Sequence, residues 1–147
     1  MKPEPSGLSL RPAREDDVPF LLALREQTLD GHFRASGAEP SRDDHLERVR
    51  VRFECALIIE REGRPAGLFK VARDGLDWQL IQIQLAPELQ GRGVGERLIR
   101  ELIAEARRAG ASLSLHVLHA NPARRLYERL GFRIVGEGEH DYLMQWP

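Results

Sequence analysis

The chain has 147 residues, 41% of them hydrophobic and 31% charged, which suits one soluble globular domain with a substantial core and is short for two. A formal net charge of −1 supplies no overall field for nucleic acid or an anionic membrane, and neither is expected as a partner. The opening "MKPEPSGLSLRP" lacks the apolar run of a signal peptide, and no stretch is long and apolar enough to span a bilayer; with the single cysteine, Cys55, excluding an internal disulfide, the expected location is cytoplasmic.

"LSLRPA" reads as a first strand, and "REDD" opens a helix through "VPFLLALREQTL", acidic residues suiting a helix N-terminus. "DGHFRASGAEP" is loop-like. Ser41 and Asp44 then match a capping box, followed by Leu46, Val49, Arg50 and Phe53 at helical spacing. Cys55 begins an apolar run, where a buried, inert thiol is expected rather than a nucleophile. "CALIIEREGRPAGLFKVARDG" has the pattern of a hairpin turning at "REGR", with Gly63 in the turn. "DWQLIQIQLAP" continues as a third strand, antiparallel because the connections are short. Its alternation assigns Ile81, Ile83 and Leu85 to one face and Leu80, Gln82, Gln84 and Ala86 to the other, where paired glutamines are ordinarily solvated.

Beyond a glycine-rich turn, Leu98, Ile99, Leu102, Ile103 and Ala106 recur at helical spacing up to Gly110. "ASLSLHVL" is a strand, and "NPARRLYERLG" a short helix with Asn121 as cap, Pro122 at its first position and Gly131 at its end. "FRIVGEGEHDYLMQW" closes the chain as a strand pair. The expected fold is a single α/β domain over residues 1–147, a layered mixed sheet with helices packed on it.

Gly91, Gly93 and Gly95 stand at the strand-to-helix turn in a G-x-G-x-G pattern. A dinucleotide fingerprint needs a third glycine where Glu96 stands, and a P-loop needs Gly-Lys-Ser/Thr where "GER" follows. Two readings stay open at this point. The amides from Gly91 to Glu96 point into one concavity at a helix N-terminus and hold an anion such as pyrophosphate, with Arg92 adding charge. Alternatively, the glycines merely supply positive φ for a tight turn.

"QGRGVG" matches Q-x-x-G-x-G, and "LAPELQGRGVGERLIRELI" is followed by "LHVLHANPARRLYERLGF". On these motifs and on its element order the chain resembles the GNAT superfamily of acyl-CoA-dependent N-acyltransferases. The resemblance implies a mostly antiparallel sheet of six to seven strands, helices on both faces, and two central strands splayed at the cofactor site. It implies acetyl-CoA as co-substrate and no metal, with the pyrophosphate on Gln90, Gly91, Arg92, Gly93, Val94, Gly95 and Glu96. Pantetheine would run between "WQLIQIQLA" and "SLSLHVL", pairing with backbone near Ile83 and Leu85. The Leu85 amide is the candidate donor to the thioester oxygen, which gains negative charge on attack.

Tyr127 shares a helical face with Ala123, Leu126 and Leu130, so it either packs or acts; the resemblance makes it the general acid. A phenol of pKa near ~10 lies not far above a thiol near ~8.5. Asn121 caps its helix, contacts the cofactor, or does both. The paired arginines Arg107–Arg108 and Arg124–Arg125 decorate exposed helix faces or meet the 3′-phosphate, Arg124 being the cofactor candidate. For the base, many relatives carry a Glu or a water-holding group where this chain has Gln82 and Gln84. Either glutamine is placed to hold a water, and His116, with an ordinary pKa near ~6.5, suits the task from the next strand unless it is structural. His116 and His119, three apart on a strand, point to opposite faces and do not suggest a metal pair.

The reading is acetyl transfer to a primary amine, small molecule or peptide N-terminus, by direct attack, since no Cys–His nucleophile is evident. Asp30, Glu137, Glu139 and Asp141 would attract a cationic amine or are simply solvated, and a homodimer is allowed. The rivals are a non-catalytic acyl-CoA-binding module and a nucleotide-binding regulator using the same turn.

Overall fold

A computed structural model describes residues 7–147; "MKPEPS", on which the signal-peptide and domain expectations partly rest, lies outside the described residues. Among the described residues seven strands and four α-helices follow one another: β1 Leu8–Pro12, α1 Val18–Ala35, α2 Arg42–Arg50, β2 Ala56–Arg61, β3 Arg64–Asp74, β4 Asp77–Leu85, α3 Val94–Ala109, β5 Ser112–Leu118, α4 Ala123–Arg129, β6 Arg133–Glu137 and β7 Asp141–Trp146. They form one sheet in the order β1-β2-β3-β4-β5-β7-β6. Every neighbouring pair is antiparallel except β4 and β5, which run parallel because α3 carries the chain back between them.

Local chemistry explains most boundaries. The β2–β3 turn holds Glu62 at φ 52° and Gly63 at φ 79°, the two left-handed residues of a hairpin turn matched to strand twist. At α2, the Ser41 hydroxyl accepts from the Asp44 amide at 3.1 Å while the Asp44 carboxylate accepts from the Ser41 amide at 2.9 Å, so the capping box forms as the spacing predicts. Gly67 lets β3 and β4 approach closely, since a Cβ there would sit 2.8 Å from the Gln84 carbonyl oxygen.

Alternate residues of β2 and β3 feed two cores. Ile59, Phe69 and Val71 pack with Ile99 and Leu102 of α3 and with Tyr127 of α4. Ile58 and Leu68 pack with Leu21 and Leu24 of α1 and Val49 of α2. Helices therefore cover both faces of the sheet.

Three expectations are corrected. First, α1 does not end before "DGHFRASGAEP" but runs to Ala35. Gly31 and the polar residues around it read as a loop, yet Phe33 packs its ring against His45 and under the Arg25 guanidinium, and these contacts hold the extra turns. Second, β4 is not simply alternating. Lys70 pairs with Gln82 but Val71 pairs with Leu80, leaving Ile81 as a bulge residue. Leu80 consequently joins Ile83 and Leu85 against the α3 core, while Gln82 and Gln84 turn the other way and are buried, not solvated. Third, Cys55 is half-buried in a single 3-10 turn, its Sγ 3.6 Å from Arg52 Nη2, because the apolar burial begins one residue later at Ala56.

Candidate active site

Strands β4 and β5 pair over only three residues each, from Asp77 with Ser112 to Gln79 with Ser114. Beyond Leu80 the two strands part, and a cavity of about 500 Å³ occupies the gap. Its walls come from β4, β5, the start of α4, and the inner faces of α1 and α2.

The ladder on the far side of β4 fixes which backbone groups face this gap. The Ala86 amide donates to the Ala66 carbonyl at 2.8 Å, and Gly67 stands opposite Leu85. In an antiparallel pair, hydrogen-bonded and non-bonded positions alternate, so Leu85 and Ile83 turn their amides and carbonyls away from β3. The Leu85 carbonyl accepts from Gln90 Nε2 at 3.0 Å on that side, which fixes Gln90 beneath the turn.

The turn itself places Gly91 at φ 74° and Gly93 at φ 77°. No atom lies within 4 Å of where their Cβ atoms would be, so the need for glycine is conformational. Gly93 caps α3 without a side-chain partner, leaving the first amides from Val94 onward directed out of the helix end. Arg92 is exposed beside them. Glu96 contributes only backbone there: its carboxylate is bound to Arg100 at 3.0 Å and to Arg129 at 2.5 Å, contacts that hold its pKa below the usual range.

Tyr127 is buried, 7% exposed, beside Phe132 and against the α3 core, and its ring edge borders the cavity. Its hydroxyl has no protein partner among the described residues, and burial raises its pKa to about 12. Asn121 does cap, its Oδ1 accepting from the Ala123 amide at 3.0 Å, and it also lines the cavity. Arg124 lies over the Tyr142 ring, 5.3 Å from its centroid, and 3.7 Å from Glu128. His116 opens onto the cavity from β5, with Nδ1 3.5 Å from Asp141 Oδ2, while His119 packs at a tilt against the Tyr142 ring and contacts the Asp141 carbonyl. Among the described residues no three His, Cys, Asp or Glu side chains gather as a metal site.

The glutamines take separate roles. Gln82 Nε2 donates to the Arg48 carbonyl at 3.0 Å, so it braces α2 rather than standing free. Gln84 makes no side-chain hydrogen bond, and the Oε1 atoms of both glutamines are buried without a partner. Buried amide oxygens are almost always satisfied, so two orphans in one cavity wall mark a place for a donor that is not part of the chain.

Sequence reading did not single out Arg25, His45, Arg48 or Lys70, which build the α1–α2 wall. Lys70 is fully buried, and its Nζ donates to the carbonyls of Arg48 (3.2 Å), Val49 (2.9 Å) and Val51 (2.7 Å), closing the C-terminus of α2. Burial, with Arg48 and Arg25 nearby, pushes its pKa down to about 8. Arg25 Nε donates to His45 Nδ1 at 3.0 Å, so the His45 proton sits on Nε2, 2.7 Å from Asp30 Oδ1. A lysine inside the otherwise apolar "GLFKVA" is the one sequence signal that pointed here. Of the four carboxylates expected to draw a cationic amine, only Asp141 lines the cavity; Asp30 is bound to His45, Glu137 lies near His119 and Glu139 near His140.

Comparison with known proteins agrees with this geometry. The GCN5-like protein acetyltransferase Rv2170 of Mycobacterium tuberculosis is 38% identical over 90 residues, 59% of this chain and 43% of its own length. The streptothricin acetyltransferase of Streptomyces lavendulae is 32% identical over 106 residues, 62% of this chain and 56% of its own. The chain thus spans roughly half the length of these relatives. The crystal structure of the PaiA N-acetyltransferase from Thermoplasma acidophilum in complex with coenzyme A shares the fold, with TM-score 0.73 over 95% of this chain and 98% of that one at 17% identity. The acetyltransferase (GNAT) family model matches residues 20–132, from the first turn of α1 through β2 to β5 and α4, and the chain belongs to that family.

Proposed function

We propose that this chain, as a single domain, transfers an acetyl group from acetyl-CoA to a primary amine by direct attack in a ternary complex. The observation that carries the reading is the parting of β4 from β5, which leaves the Ile83 and Leu85 backbone groups turned away from β3 toward the gap; Ile83 lines the cavity, and Gly95 at the start of α3 stands beside both side chains. An extended chain with amides fits that gap as an added strand, and a pyrophosphate fits the outward amides of the Gly91–Glu96 turn. Acetyl-CoA supplies the acyl group as a thioester, whose carbonyl carbon is open to an amine.

The residues divide the work as follows. The amides of the turn and Arg92 bind the diphosphate, and Gln90 holds the Leu85 carbonyl so that the strand end stays in place. The Leu85 amide faces the gap and offers a fixed donor where oxyanion charge develops; such donors are worth about 3 kcal/mol in related chemistry. Tyr127 keeps its proton throughout the working pH range, because burial raises its pKa to about 12, and its hydroxyl donates toward a departing sulfur. Against a thiol near ~8.5 in water, full transfer would be uphill by roughly 5 kcal/mol, but a thiolate in the same dry cavity is raised by the same desolvation. Gln84, with its unpartnered Oε1, positions the incoming N–H or its water, and His116 takes the proton. A single unpaired cysteine, half-buried, fits a reducing compartment such as the cytoplasm.

The test is thermal. Acetyl-CoA at about 100 times its Kd should stabilise the chain by about 2.7 kcal/mol, a rise in Tm of about 5–10 °C. ATP or NAD at the same concentration should leave Tm within 1 °C, roughly the resolution of such a shift. An equal rise with ATP or NAD would remove the cofactor assignment.

A further inference from the structure

The α1–α2 wall of the cavity carries positive charge that the chain does not neutralise. Arg25 is 6% exposed yet has no carboxylate partner; its one hydrogen bond goes to a neutral imidazole, and its guanidinium lies 5.7 Å from the Phe33 centroid. Arg25 helps to line the cavity, and nothing among the described residues accepts a hydrogen bond from its two Nη groups. Arg48 lines the same space one helix away and likewise has no acidic partner among the described residues. Lys70 stands behind them, satisfied by three carbonyls and no carboxylate.

Nearby acids are committed elsewhere. Asp30 accepts from His45 at 2.7 Å, the Asp44 carboxylate closes the capping box, and Asp141 lies on the opposite wall beside His116. A buried guanidinium without a counter-ion is expensive, and the cations repel one another. Burial and Arg48 together push Arg25 down to about 10, against a smaller opposing pull from Asp30, so the nearby carboxylate does not offset the cost of the site. Two forked donors converging from neighbouring helices are suited to a planar oxyanion.

We infer that the acceptor is an amine that also carries an oxyanion, a carboxylate or a phosphate, which Arg25 and Arg48 clamp while the amino group reaches Gln84. This rests on the acetyl-transfer reading for the amine and stands on its own for the anion. A polycationic acceptor is disfavoured, because it would face this wall with like charge.

The test uses the full chain and matched amines that differ only in the anionic group: β-alanine against β-alaninamide, glycine against glycinamide, and O-phosphoethanolamine against ethanolamine. Thiol release from acetyl-CoA gives kcat/KM for each, and the melting shift of the coenzyme A-loaded chain reads binding without turnover. At least one acid should exceed its neutral partner by tenfold or more, and the winning pair tells carboxylate from phosphate. Arg48→Gln, on an exposed helix face, should bring that ratio toward one and abolish the corresponding melting shift. Arg25→Lys should keep part of the ratio that Arg25→Gln loses. Equal use of acids and neutral partners, or a ratio unchanged in Arg48→Gln, overturns the inference. If no amine is acetylated, an acid-specific melting shift lost in Arg48→Gln still upholds the anion site and only the transfer reading fails; no shift with any acid overturns both.

Discussion

Replacing Lys70 with methionine tests the least visible support of the cavity. Its Nζ serves three carbonyls at the end of α2, and in Lys70→Met the Arg48 carbonyl keeps its bond from Gln82 Nε2. The Val49 and Val51 carbonyls lose theirs. An unsatisfied buried acceptor costs about 1–3 kcal/mol, and Val51, being exposed, falls at the low end of about 1, so the gross loss is about 2–4 kcal/mol. Removing a desolvated ammonium returns part of this, and the methionine retains most of the packing volume. The net expectation is about 2–3 kcal/mol, since deleting one partner of a buried polar cluster leaves the other exposed to no solvent. Urea unfolding reads it directly: with a slope of about 2 kcal/mol/M the midpoint should fall by about 1–1.5 M. Because α2 carries His45 and Arg48 into the cavity wall, KM for the acceptor should rise while coenzyme A affinity stays within twofold, about 0.4 kcal/mol. A loss of stability under about 0.5 kcal/mol, the range of an ordinary surface change, would refute the helix-closing role.

Tyr127 should titrate late. In the tyrosinate difference spectrum between the wild type and Tyr127→Phe, half-ionisation is expected at about pH 12, and a midpoint near 10 would contradict its burial. The sign for stability follows: the folded pKa is raised, so the contribution of Tyr127 is complete below about pH 10 and falls away as pH climbs toward about 12, while the unfolded chain alone ionises. Gly93→Ala has room for its methyl but not the φ of 77°, so it should cost about 1–2 kcal/mol in stability. With the turn's amides displaced, coenzyme A affinity should fall about tenfold by calorimetry, equivalent to about 1.4 kcal/mol; undiminished binding would make the turn purely structural.

What was legible in the sequence was what is local in the chain. The capping box of Ser41 and Asp44, the Glu62–Gly63 turn and the Gly91–Gly93 turn each depend on residues within three or four positions, so spacing alone reveals them. Tyr127 was found because the motif around it is compact. Other features depend on partners far along the chain. Arg25 meets His45 across 20 residues, and Lys70 meets α2 across about as many, so neither pairing leaves a periodic trace. The bulge at Ile81 parts Leu80 from the face of Gln82 and Gln84, and those glutamines read as solvated yet lie buried because α1 and α2, distant in sequence, cover that face. The charges that meet at the cavity are likewise not neighbours in the chain: Arg25 and Arg48 line it together with Asp44 and Asp141, whereas Asp30, Glu137 and Glu139 do not.

The most direct measurement follows free thiol released from acetyl-CoA in the presence of a primary amine, for the wild type and Tyr127→Phe. Thiol should appear only when both substrates are present. Tyr127→Phe should slow turnover by about 10²-fold or more, the usual scale of a general acid, with coenzyme A affinity within twofold. Turnover unchanged in Tyr127→Phe, or thiol release indifferent to the amine, would contradict acetyl transfer at this site.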